Sequence, residues 1–167
     1  MSTSTVLAGG CQCGRVRFAA DMQPFGVHVC HCRMCQKAVG GPFAVICPVL
    51  KTHFRITRGE MAYFHSSDIA RRGYCRDCGT PMLFEYPQGK DLGVLVGAFD
   101  EPSRVAPEIQ FGNESRVSWY GTLNALPGDR VTYADDPQML HRISSSNHQH
   151  PDHDTEQWTP PPGGQPD

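Results

Sequence analysis

The stretch VCHCRMCQKAVGG, residues 29–41, places Cys30, Cys32 and Cys35 within six positions. Two further close pairs, Cys11 with Cys13 and Cys75 with Cys78, account for all but one of the eight cysteines; Cys47 stands apart in VICPV. A disulfide framework more often scatters its cysteines along the chain, and no secretion signal stands out in MSTSTVLAGG. Clustered thiols in a reducing compartment are read as metal ligands. Zinc suits them: it takes thiolates at ~2.3 Å, favours tetrahedral geometry and has no redox change of its own.

Spacing indicates how such groups present their sulfurs. In a strand, C-x-C turns both sulfurs to one face, so Cys11 and Cys13 would point together, as would Cys30 and Cys32, with His31 turned away. C-x-x-C closes a tight turn whose sulfurs converge, and in CRDCG, residues 75–79, Gly79 can take the positive φ such a turn often needs. Seven ligands divide as four plus three. Pairing Cys11/Cys13 with Cys75/Cys78 is one solution; Cys11/Cys13 with Cys32/Cys35 is another. A three-cysteine remainder leaves an open coordination position, the mark of a reactive zinc site rather than a structural one.

The elements that must position these groups are mostly strands. VRFAA (16–20), FGVHV (25–29), PFAVICPV (42–49), HFRIT (53–57), MAYFH (61–65), PMLFEY (81–86) and LGVLVGAF (92–99) alternate or run apolar between glycines and prolines. RMCQKAVG (33–40) allows one or two helical turns before Gly40 and Gly41, and ESRVSWYGT allows another short one. The fold class is therefore mainly β, a single zinc-stapled domain with short helices. It is expected over residues 1–134, followed by a Pro/His-rich tail over 135–167. From Asp136 on there are six prolines and four histidines with few large apolar residues. Such a segment buries too little to offset its ordering entropy and is expected to be disordered.

A net charge of −2 and a pI near 6.4 supply no basic field for nucleic acid. The uncharged run at 38–50 is well short of the ~20 residues needed to cross a bilayer. A soluble, cytoplasmic protein with no membrane or nucleic-acid partner is expected.

GGCQCGRVRF (9–18), CHCRMCQKAVG (30–40), SSDIARRGYCRDCGTP (66–81) and SRVSW (115–119) resemble, in order and spacing, the glutathione-dependent formaldehyde-activating enzyme family, which includes centromere protein V. The resemblance spans about residues 9–128. It implies a β-tent-like fold with two Zn2+ per chain: a structural zinc on Cys11, Cys13, Cys75 and Cys78, and a catalytic one on Cys30, Cys32 and Cys35. It also implies a carbon–sulfur lyase that joins a thiol, glutathione or similar, to formaldehyde or another small carbonyl, giving S-hydroxymethylglutathione in the named reaction. Where many members carry a histidine nine residues before the tryptophan matching Trp119, this chain has Gln110. The basic N-terminal extension of centromere protein V has no counterpart here, and no chromatin role is expected.

Among other residues, His28 shares strand parity with Cys30 and is a candidate fourth ligand, although a buried supporting histidine is the plainer expectation. Cys47 reads as a small core hydrophobe and Trp119 as core. Lys37, Arg71, Arg72 and Arg116 are candidate partners for a substrate carboxylate, and Asp68 and Glu85 are the nearest acid–base candidates. Three classes of function follow: a thiol–carbonyl enzyme, a zinc-stabilised binding module without turnover, and a purely structural β-domain.

Overall fold

The computed structural model describes residues 5–21, 25–128 and 133–161. Its ten strands form two sheets. The smaller, in the order β1–β2–β5, contains β1 (Val6–Gly10), β2 (Arg17–Asp21) and β5 (Phe54–Arg58), all antiparallel. The larger contains β3 (His28–Cys30), β4 (Ala44–Leu50), β6 (Ala62–His65), β7 (Arg71–Tyr74), β8 (Pro81–Glu85), β9 (Asp91–Leu95) and β10 (Ile109–Phe111). Its order is β10–β3–β4–β9–β8–β7–β6, antiparallel except where β10 joins β3. Helix α1 (Arg33–Val39) links β3 to β4 and ends at Gly40, whose φ of 65° gives a left-handed cap. The fold is mainly β, as expected.

Central strands read as apolar because both faces are covered: β4 and β9 bury Ile46, Cys47, Val49, Leu92, Val94 and Leu95. Pro48 has no amide hydrogen to give a ladder. It lies beyond the end of β3, which pairs only as far as Ile46, so β4 has β9 alone as its neighbour there. Phe18, fully buried, belongs to one core cluster with residues of both sheets, and its ring stands 5.3 Å from Phe54 and edge-on to Phe99 at 5.4 Å. Removing a ring in such a position costs about 3–5 kcal/mol.

The segment after residue 134 includes one further helix and several contacts with the β domain. Helix α2 (Pro137–Ser146) is capped by Asp136, whose carboxylate accepts from the Met139 amide at 2.9 Å. The chain beyond it lies against the turn after β1. The His150 amide donates to Gln12 O at 2.7 Å, Trp158 Nε1 donates to Cys13 O at 2.8 Å, and Asp154 meets Arg17 at 2.9 Å. Helix α2 buries none of its residues. Charged and polar anchors, rather than apolar burial, hold the rest, and composition does not display them. Residues 162–167 of the expected tail lie outside the described residues.

Candidate metal centres and active site

Cys11 and Cys13 sit in a turn after β1, not in a strand, so the alternation expected of them does not apply. The turn closes through Gly14 N to Cys11 O and Cys11 N to Val16 O, both 3.0 Å, with Gly14 at φ 77°. Cys75 and Cys78 occupy a matching turn after β7. There Gly79, at φ 75°, donates to Cys75 O at 3.0 Å, as its place in CRDCG suggests. The two turns face one another: Gln12 N donates to Thr80 Oγ1 at 3.0 Å and Arg15 pairs with Asp77 at 3.1 Å. All four sulfurs lie within 4.8 Å of one another, with Cys11–Cys13 at 3.6 Å and Cys13–Cys75 at 3.8 Å. Tetrahedral thiolates at ~2.3 Å from zinc stand ~3.8 Å apart, so the donor set fits that ion. Hydrogen bonds with Cys11 and Cys75 pull the Cys78 thiol far below its usual range, and hydrogen bonds with Cys75 and Cys78 push Cys11 far above. Burial raises Cys13 to about 11. Held as thiolates, the four sulfurs would concentrate negative charge that a cation offsets.

The second group is built on the start of α1. Cys30 ends β3, Cys32 is the N-cap of α1 and Cys35 lies in its first turn. The Cys35 amide donates to Cys32 Sγ, Cys30 and Cys32 sulfurs are 3.4 Å apart, and all three sulfurs lie within 4.8 Å of one another. Burial lifts Cys30 to about 12 and also raises Cys35, where Arg72 opposes it. Burial would raise Cys32 too, but the Cys35 amide, the neighbouring thiols and Arg72 outweigh it and lower that thiol. No histidine or carboxylate of the described residues joins the trio as a further ligand.

Several residues that supply no ligand to the trio hold this geometry. His31 points away from the sulfurs, as its place between them suggests; it is buried, with Nε2 2.9 Å from Gln110 Oε1 and its ring edge-on to Tyr120. Its amide donates to Phe111 O at 2.9 Å. Buried Gln36 donates to His31 O at 2.6 Å and to Ser115 O at 3.0 Å, clamping the cysteine loop to the chain after β10. Neither Gln36 nor Gly112, which packs on Cys32, was singled out from sequence. The only available signal for Gln36 was a polar residue on the inner face of a short helix.

The trio opens on a cavity of ≈350 Å³ walled by Ile46, Pro48, Phe84 and Leu92, with His28 and Glu85 at its polar side. A second cavity of ≈560 Å³ carries Arg33 and Lys37 beside Phe64 and Leu95. Arg72 and Met34 line both. His28 does not join the sulfurs; its Nδ1 lies 3.0 Å from Gly26 O. Glu85 is buried and held by Arg71 at 2.5 Å and Lys51 at 3.2 Å, while Asp68 is exposed and lines neither cavity. Arg116 stacks on Tyr120 and Arg71 on Tyr63. Cys47 is fully buried, as expected, and burial raises its thiol to about 11. Trp119 is not core: it is 49% exposed, on a short helical turn at the surface.

Residues 6–115 match the glutathione-dependent formaldehyde-activating enzyme family, and the chain belongs to it. An uncharacterised lyase of Schizosaccharomyces pombe is 29% identical over 84 residues, which cover 50% of this chain and 60% of that protein. A crystal structure of a Rhodobacter sphaeroides protein superposes with a TM-score of 0.52 at 20% identity, over 62% of this chain and 98% of that one, and shares its fold. No helix among the described residues is long and apolar enough to cross a membrane.

Proposed function

We propose that this chain is a zinc-dependent carbon–sulfur lyase-type enzyme that adds a glutathione-like thiol to formaldehyde or another small carbonyl. The observation that carries this is the three-sulfur group, without a fourth protein ligand among the described residues, on the wall of an apolar cavity. Cys30, Cys32 and Cys35 would hold a catalytic zinc, and Cys11, Cys13, Cys75 and Cys78 a structural one. Bound at the trio, zinc would supply a place where a substrate thiol is held as its thiolate. The cavity wall of Ile46, Phe84 and Leu92 excludes water from the sulfur, keeping it nucleophilic. Arg33 and Lys37 of the adjoining cavity offer cations to the carboxylates of a glutathione-like thiol. Free thiols at all eight cysteines suit a reducing compartment, and we place the protein in the cytoplasm.

The test is metal content followed by zinc K-edge absorption during a glutathione titration. Two zincs per chain, with sulfur coordination rising at one as glutathione binds, and faster loss of free formaldehyde in the presence of the protein, are expected. Two zincs indifferent to glutathione, without formaldehyde turnover, would leave a binding or structural module.

A further inference from the structure

Among the described residues two arginines, Arg17 and Arg72, are buried, and they are satisfied differently. Arg17 meets Asp100 at 2.7 and 2.5 Å and Asp154 at 2.9 Å. Arg72, 8% exposed, has no carboxylate partner among the described residues. The nearby carboxylate of Glu85 pairs instead with Arg71 and Lys51. The Arg72 guanidinium makes one hydrogen bond among those residues, from Nη2 to Cys35 Sγ at 3.6 Å, and its plane is steadied by Phe84, 5.0 Å from the ring centroid. A guanidinium has five donors. Arg72 lines both cavities and its remaining donors are not closed off from them, so an anion entering there can take them.

We propose that Arg72 is a catalytic residue, the donor that stabilises the oxyanion formed when thiol and carbonyl combine. The proposal rests on the thiol-addition chemistry proposed above. In that step the sulfur lone pair forms the S–C bond and the C=O π pair moves onto oxygen. The oxygen, now anionic and two bonds from sulfur, takes a proton from water to end as a hydroxyl. The reverse step returns both pairs. Arg72 stands where that oxygen is generated, beside the sulfur group and on the wall of both cavities. Arginine does not give up its proton at any working pH, so it stabilises the charge and leaves proton transfer to solvent.

Thiosulfate gives a readout independent of turnover, because its terminal sulfur carries anionic oxygens two bonds away, as the adduct does. Calorimetric titration of zinc-loaded wild type and Arg72→Gln with thiosulfate, and with ethanethiol as the oxygen-free control, compares the two. Thiosulfate should bind about tenfold more weakly to Arg72→Gln, with ethanethiol unchanged. In formaldehyde turnover the same variant should lose about a hundredfold in kcat, the scale of a lost oxyanion donor, with little change in KM for glutathione; Arg72→Lys should recover part of it. Equal thiosulfate affinity, an unchanged kcat, or loss of zinc from the trio in step with kcat would each overturn the proposal. Wild type without turnover would remove the enzymatic reading by itself, and the thiosulfate comparison would then decide whether Arg72 receives an anionic oxygen at all.

Discussion

Gly112 packs its Cα against Cys32: a methyl group at 112 would stand 2.7 Å from the Cys32 amide nitrogen and 3.3 Å from its Cβ. With φ at 69°, position 112 also lies in the region where a side chain is strained. Gly112→Ala is therefore expected to displace Cys32 and weaken zinc at the trio by at least about tenfold, a loss of about 1.4 kcal/mol, without touching a ligand. Competition with a chelator, resolved for each zinc, checks this; equal retention at both sites would refute it.

The two cysteine groups should fail differently. Cys78→Ser removes a ligand from the site that joins two distant turns, and structural zinc contributes folding free energy directly, about 10 kcal/mol or more. A cooperative loss of structure by circular dichroism is expected. Cys32→Ser keeps a competent N-cap on α1 and should yield a folded chain with one zinc and no glutathione-dependent change at the absorption edge. If both variants merely unfold, the division into structural and catalytic sites loses its support.

Arg17 and Asp100 form a buried ion pair that ties β2 to the turn after β9, with side chains 3% and 11% exposed. Breaking such a pair from one side leaves an uncompensated charge and costs about 3–5 kcal/mol. Asp100→Ala should cost close to this in chemical denaturation. The Arg17–Asp154 contact is weaker because Asp154 is 60% exposed, and Asp154→Ala should cost under about 1 kcal/mol.

Docking of the segment after α2 is expected to depend on pH through His150. Burial holds its pKa below 6.5; Pro151 O and Asp100 act the other way, and Arg17 and Arg58 add to the lowering. A folded-state pKa below the unfolded one means that the undocked segment binds more protons, so the contribution is full above about pH 6.5 and fades as pH falls through the lowered value. In a Trp119→Phe background, Trp158 fluorescence reports docking. A change that begins below about pH 6.5 and disappears in His150→Ala is expected; a pH-independent signal would refute it.

Much of the fold was legible because burial on both faces writes itself as apolar runs: β4, β8 and β9 lie where such runs predict. β1, β7 and β10 were missed for three reasons. VLAGG is short and glycine-rich, IQF is three exposed residues, and RRGY reads as a charged surface stretch. β7 is internal all the same, because Arg71 is taken up by Glu85 and Tyr63 and Arg72 by Cys35 and Phe84. Spacing located the cysteine groups, and Gly79 and His31 behave as their positions suggest. It misplaced Cys11 and Cys13 on a strand, because C-x-C is equally compatible with a turn when Gly14 follows. The residues that hold the trio, Gln36, Gln110 and Gly112, act through contacts distant in sequence, which a single sequence does not reveal.

The four-cysteine group also bears on the order of assembly. Its two turns are separated by 62 residues between Cys13 and Cys75, whereas the trio spans a single β-strand end and helical turn. Closing the longer loop requires both sheets to be in place and carries the larger loop-closure entropy. During synthesis the trio's sulfurs are all present once residue 35 emerges, though the chain around 110–115 that braces them comes later, while the distant group must wait for residue 78. For that interval Cys11 and Cys13 remain open to oxidation, so the vulnerable period in this protein's life falls before folding is complete.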